Sequence, residues 1–361
     1  MSDNQVADDV GDGGATAVRT TPQRPPADEH RRVEDAAAAA GAAGGWRARL
    51  GRAGEVRNVG LIVVLIVIAL VGNWSSENFL SRPNITTILV SSAVIGVVTV
   101  GMTFVIIGGG IDLSVGAIVA LASVWATTLE TQSYGPFVMV VCAVLVGAGA
   151  GLINGLLIAY GRLVPFIVTL AMLVSARGVA EWISNKRTQI VREEAIKDIA
   201  RTEVIGVPVL VLILLAVVAV GWFVLNRTTF GRRTFAIGGN AEASRLAGID
   251  VRRHTALLYV ISGACCGIAA VMVTARTTTG SSTHGGLYEL DAIAAVIIGG
   301  TLLAGGRGTL IGSILGVLVF QTVTNIFVLN NLQTEIQNIF KGLIIIAAVL
   351  LQRRTQREAS T

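Results

Sequence analysis

Residues 105–121 read "VIIGGGIDLSVGAIVAL", a stretch apolar enough for a bilayer yet interrupted by three consecutive glycines and an aspartate. A carboxylate in hydrocarbon costs a few kcal/mol, about 2.5–3.5 on insertion scales. Each glycine weakens a helix by about 1 kcal/mol relative to alanine. A chain that keeps both is breaking a helix at membrane depth, which is tolerated where protein or a water-filled cavity surrounds the backbone. Asp112 then stands at the restart, near the N-cap of the next helix, where its carboxylate accepts amide hydrogen bonds. Two roles are open to Asp112 and its neighbour Ser114: ordering the junction, or touching whatever passes.

Working outward, 53% of the 361 residues are hydrophobic and only 14% are charged. Soluble domains carry about 25% charged residues, so the chain is an integral membrane protein, all-α and polytopic. At about 20 apolar residues per crossing, there are ten candidate spans: 59–73, 86–107, 113–130, 137–160, 164–184, 207–225, 255–275, 288–303, 309–329 and 336–351. Residues 1–58 are polar and rich in Gly, Pro and Ala, which predicts a disordered tail. Trp46, with Arg47, Arg49 and Arg52, suits an interfacial anchor. Residues 355–361 form a short C-terminal tail.

Arginines fall in alternate loops: Arg162, the block from Arg227 to Arg253, Arg307, and Arg353, Arg354 and Arg357. The positive-inside rule therefore puts both termini in the cytoplasm, and the net charge of +5 reflects loop orientation rather than nucleic-acid binding. Cys142, Cys265 and Cys266 read as small buried thiols. His30, His254 and His284 lack partners at ligand spacing, so neither metal nor cofactor is expected.

The motif recurs as "VIIGGTLLAGGRGTLIG" at residues 296–312, an internal repeat. Gly147, Gly151 and Gly155 follow the first copy at intervals of four; Gly308, Gly312 and Gly316 run from the end of the second copy and beyond it at the same interval. Each trio predicts a smooth stripe for close helix packing. Repeated halves with glycine-rich interruptions point to a transport pathway, parallel or inverted. Further pathway candidates are Asn154, polar within a glycine-striped span, and Glu289 and Asp291 at the start of the eighth span. The carboxylates alternatively serve the helix dipole, and Asn154 an interhelical hydrogen bond. Arg177 and Glu181, spaced i, i+4, are expected to pair.

Loop 226–254 contains "GGNAEASRLAGI": a helix start at Asn240, an early acid at Glu242 and a stop at Gly248. Together, "GMTFVIIGGGIDLSVGAIVAL", "GGNAEASRLAGI" and "GGLYELDAIAAVIIGGTLLAGGRGTLIGSILG" resemble the ribose-type sugar permeases of bacterial ABC importers, over about residues 59–354. The resemblance implies a type II-like importer permease that forms a homodimer in membrane lipid. It also implies a cytoplasmic ATPase partner with tandem nucleotide domains and an extracytoplasmic sugar-binding protein that delivers a ribose-like monosaccharide. Gly239, Asn240, Ala241, Glu242, Ala243, Ser244 and Gly248 match the family's ATPase-coupling helix. No G-x-x-x-x-G-K-[ST] loop occurs, as expected if ATP hydrolysis belongs to the partner and the chain itself is not an enzyme. An ion-coupled secondary transporter, a nucleoside or inositol permease and a membrane scaffold are the competing readings.

Overall fold

The computed structural model describes residues 58–358. The tail expected at 1–58 and the anchor around Trp46 therefore lie, apart from Asn58, outside the described residues. The helices, in order, are α1 (Asn58–Ser75), α2 (Arg82–Ile107), α3 (Val115–Ala126), α4 (Leu129–Ser133), α5 (Pro136–Ala159), α6 (Pro165–Ser184) and α7 (Glu194–Arg201). They continue with α8 (Val209–Arg227), α9 (Thr229–Gly239), α10 (Ala241–Leu246), α11 (Val251–Thr277), α12 (Tyr288–Ile298), α13 (Leu310–Leu329) and α14 (Thr334–Glu358). Two small antiparallel ladders pair β1 (Gln189–Ile190) with β4 (Thr279–Gly280), and β2 (Glu203–Val204) with β3 (Val207–Pro208). Proline opens α5 and α6, where its missing N–H costs nothing and its fixed φ suits the first turn.

All ten candidate spans contain a helix, but they are not equivalent. Seven are long and apolar enough to cross a membrane: α1, α2, α5, α6, α8, α11 and α13. The stretches 113–130 and 288–303 yield only α3, of 12 residues, and α12, of 11. At about 1.5 Å per residue these reach roughly 16–18 Å, about half of a 30 Å hydrocarbon core. The tenth stretch lies within α14, which continues as helix to Glu358.

The bundle has an α7 end and an α10 end. Arg82, opening α2, pairs with Glu203 at 3.0 Å beside the α7 end, and α2 finishes against Gly238 at the α10 end. Helix α2 is the central column, buried continuously from Ser92 to Ile107. By contrast, Leu145 on α5, Val174 on α6 and Val220 on α8 stand outward, each about two-thirds exposed. That apolar exterior suits lipid rather than water.

Helix α5 lies on α11 along a glycine seam. A β-carbon at Gly147 would strike the Gly263 carbonyl, one at Gly151 the Tyr259 carbonyl, and one at Gly155 would come 2.7 Å from Ala256 Cα. The partners Tyr259, Gly263 and Gly267 repeat the interval of four on the facing helix. Gly312 and Gly316 lie similarly against α12, at Gly299 and Ala295. Gly308 differs: it precedes α13 and packs on the Thr301 side chain, so the second trio is not one helical stripe. Gly151→Val should lower the thermal midpoint in detergent, consistent with the roughly 1–3 kcal/mol of an overpacked contact. Gly149→Val, one turn-fraction away in open space, should not.

Candidate functional site

The two "VIIGG" copies build the same helix terminus. At the end of α2, the Gly109 amide donates to the Ile106 carbonyl and the Gly110 amide to Val105, both at 2.9 Å. At the end of α12, Gly300 donates to Ile297 at 2.8 Å and Thr301 to Val296 at 3.1 Å. Gly109 has φ +84° and Gly300 φ +76°, the left-handed cap that satisfies the last carbonyls and that glycine adopts without strain. Two identical stops thus end two helices at the α10 end.

The stops also meet. The Gly306 amide, in the α12–α13 connection, donates to the Ile107 carbonyl at 2.8 Å. A β-carbon at Gly305 would lie 2.8 Å from Gly109 Cα, and one at Gly306 would lie 2.7 Å from Gly239 Cα. Gly238, at the end of α9, is wedged between them: a β-carbon there would strike the Ile107 carbonyl and come 2.6 Å from the Gly306 amide. Gly238 lies within helix α9, where alanine would be preferred by about 1 kcal/mol. Its glycine therefore serves close approach, not conformation. Three chain segments come together here backbone to backbone.

From this node α10 projects. Its N-cap is Asn240, whose Oδ1 accepts from the Ala243 amide at 2.9 Å. The buried Ser244 hydroxyl donates back to the Asn240 carbonyl at 2.9 Å. Gly248, φ +82°, closes the other end, with the Ile249 amide donating to the Ser244 carbonyl at 3.0 Å. Glu242 and Arg245 form an exposed pair, which holds the Glu242 carboxyl below its usual range. Ala241, Glu242, Ala243 and Gly248 are exposed, and Leu246 is 76% exposed. Helix α9, not foreseen in the sequence, carries α10: it is capped by Thr228 and tied to α11 by a Thr234–His254 hydrogen bond of 2.8 Å.

Asp112, Ser114 and Asn154 come together in one buried cluster. Asp112 Oδ1 accepts from the Ser114 amide at 3.0 Å and from its hydroxyl at 2.5 Å; Oδ2 accepts from the Ser262 hydroxyl at 2.9 Å. Asn154 Nδ2 donates to Ser114 Oγ at 2.9 Å, joining α5 to the restart of α3. The N-cap itself is Ser114, two residues beyond Asp112. All four side chains are fully buried. Sequence reasoning missed Ser262, one of several hydroxyls along α11 and unmarked by any motif.

The connection from β4 to α12 runs back alongside α3. Gly280 abuts Thr127 near the end of α3, His284 Nδ1 lies 3.2 Å from Ser123 Oγ, and a β-carbon at Gly285 would lie 3.0 Å from Gly116 Cα, in the first turn of α3. Helix α12 therefore begins inside the bundle, not at its rim. Arg177 holds this segment by donating to the Ser282 and His284 carbonyls. The expected Arg177–Glu181 pair does not form; Glu181 faces Lys186 instead, at 3.9 Å, because backbone carbonyls within the bundle claim the guanidinium. Glu289 is half-buried at the start of α12. Asp291 is buried and paired with Lys341 of α14 at 3.1 Å, with the ammonium also 5.5 Å from the Phe320 ring. Lys341 was legible as a lone cation in an apolar run, which calls for an intramembrane partner.

Seven apolar helices long enough to cross a membrane, with two half-length helices that begin inside the bundle, make this a multi-pass membrane protein. A family described as "Branched-chain amino acid transport system / permease component" matches residues 84–349, and the chain belongs to this family. It is 38% identical over 303 residues to the ribose import permease protein of Bacillus subtilis, covering 83% of this chain and 94% of that one. It is 38% identical over 292 residues to the D-allose transport system permease protein of Escherichia coli (81% and 90% covered). Identity to the L-arabinose ABC transporter permease protein of Azospirillum brasilense is 36% over 315 residues (87% and 93% covered). No solved structure matches.

Removing one partner of a buried ion pair leaves a charge uncompensated, at about 3–5 kcal/mol. Lys341→Met should therefore lower the thermal midpoint sharply, and Asp291→Asn combined with Lys341→Met should recover most of the loss. A double variant no more stable than the single would show that the pair is incidental.

Proposed function

We propose that this chain is the permease subunit of an ABC importer for a ribose-like monosaccharide, driven by a separate ATPase. The observation that carries the reading is α10: a short helix capped at both ends, exposed on its outer side and seated on the glycine node. A docked ATPase that shifts α10 would move both helix stops together, because backbone contacts without intervening side chains leave little slack. The ribose, D-allose and L-arabinose permeases among its relatives support a sugar as the solute. Loop arginines support a cytoplasmic α10 end, with both termini on that side. The α7 end then receives an extracytoplasmic binding protein, and the chain works as a homodimer. Within this scheme the chain supplies the passage and the partner supplies the energy.

The test is uptake by proteoliposomes containing the permease with its ATPase and binding protein. With ion gradients collapsed, ribose should accumulate only when ATP is supplied, and leucine should not compete. Uptake that needs an ion gradient instead, or competition by leucine, would overturn the reading. Gly238→Ala should uncouple the assembly, with ATP hydrolysis retained and uptake reduced about tenfold or more, equivalent to about 1.4 kcal/mol.

A further inference from the structure

The folded-back connection between β4 and α12 presents an unusual surface. Thr283, Gly286, Leu287 and Leu290 are all exposed, with Leu287 at 41% and Leu290 at 42%. The chain from Thr283 to Leu287 is turn, not helix, and Leu287 has φ +63°, a strained setting for a branched side chain.

The depth of this surface follows from its neighbours. Gly285 abuts Gly116 at the beginning of α3. That beginning is fixed by Ser114 to Asn154 and by Asp112 to Ser262. Asn154 lies five residues before the end of α5 at the α10 end, and Ser262 eleven residues into α11. At about 1.5 Å per residue, these place the start of α3 roughly 8–17 Å inside the bundle. The exposed turn therefore lies at membrane depth, inside the bundle rather than at its rim.

Irregular backbone at that depth does not face lipid; it is tolerated where protein covers it or where it lines water, and within this chain nothing covers the turn, since Thr283, Gly286, Leu287 and Leu290 stand exposed. The outward residues of α5, α6 and α8 are apolar side chains on regular helix, the opposite character. Resting on the importer reading above, we propose that the turn from Thr283 to Leu290 lines the aqueous passage. There the Thr283 hydroxyl, the backbone around Gly286 and the edge of the Glu289 carboxylate meet a neutral polyhydroxylated solute, and Leu287 and Leu290 narrow the way. The strain at Leu287 holds the first residues of α12 turned toward that passage.

Cysteine accessibility tests this in membrane vesicles carrying the full chain, with Cys142→Ala to remove the half-buried native thiol. A membrane-impermeant trimethylammonium methanethiosulfonate is the probe. Gly286→Cys has open space around it, with only the Thr283 carbonyl 3.6 Å away, so it should fold. Thr283→Cys and Gly286→Cys should react at least tenfold faster than Val174→Cys on the outward face of α6. Reaction as slow as at Val174 would mean that lipid or a second copy covers the turn, and would overturn the proposal. Labelling needs neither ATP nor sugar, so its failure is distinct from a failure of ATP-driven uptake. In the assembled transporter, Leu290→Trp should cut uptake by tenfold or more with ATP hydrolysis retained; unchanged uptake would equally count against the lining.

Discussion

A single backbone hydrogen bond, from the Gly306 amide to the Ile107 carbonyl, marks the constraint on which the rest depends. It can form only if the connections after α2 and after α12 approach to backbone contact, with the end of α9 between them. Side chains at Gly238, Gly305 or Gly306 would hold these segments apart. Conformation requires glycine at the positive φ of Gly109, Gly305 and Gly306; at Gly238, proximity alone does.

From that contact the architecture follows in order. Two helices, α2 and α12, stop at the same end, and the two helices that begin inside the bundle, α3 and α12, are half-spans. Their inner ends lie where unpaired polar groups are costly. Each is consequently tied by a buried polar arrangement: Asp112 with Ser114, Ser262 and Asn154 for α3, and Asp291 with Lys341 for α12. The glycine seam between α5 and α11 is the scaffold against which these ties are set. On the opposite side of the node, α10 is capped at both ends, so in the coupling proposed above a push on it is not absorbed by a loose loop.

Much of this was legible in the sequence, because glycine and charge are conspicuous in an apolar chain. The caps of α10 at Asn240 and Gly248 follow from local rules. The seam from Gly147 to Gly155 follows from spacing, and the break at residues 108–110 from composition. What could not be read was tertiary. Which glycine segments meet depends on contacts between residues far apart in the chain, such as Ile107 with Gly306 and Gly239 with Gly306. Arg177 prefers distant carbonyls to its neighbour Glu181, a choice set by the path of the segment at 280–287. That segment is a polar stretch between two apolar ones, and only its packing on α3 reveals that it runs inward. Gly308 fits the interval of its trio yet stands outside the helix, since spacing does not reveal where a helix starts.

The central claim is that α10 and the glycine node move as one body, and a distance measurement tests it most directly. Spin labels at Arg245→Cys and Arg307→Cys, both exposed in the fold, report on that body; a label at Lys186→Cys marks the α7 end. In the assembled transporter, adding ATP should leave the 245–307 separation unchanged and alter the 307–186 separation. A 245–307 distance that changes while 307–186 stays fixed would contradict the account.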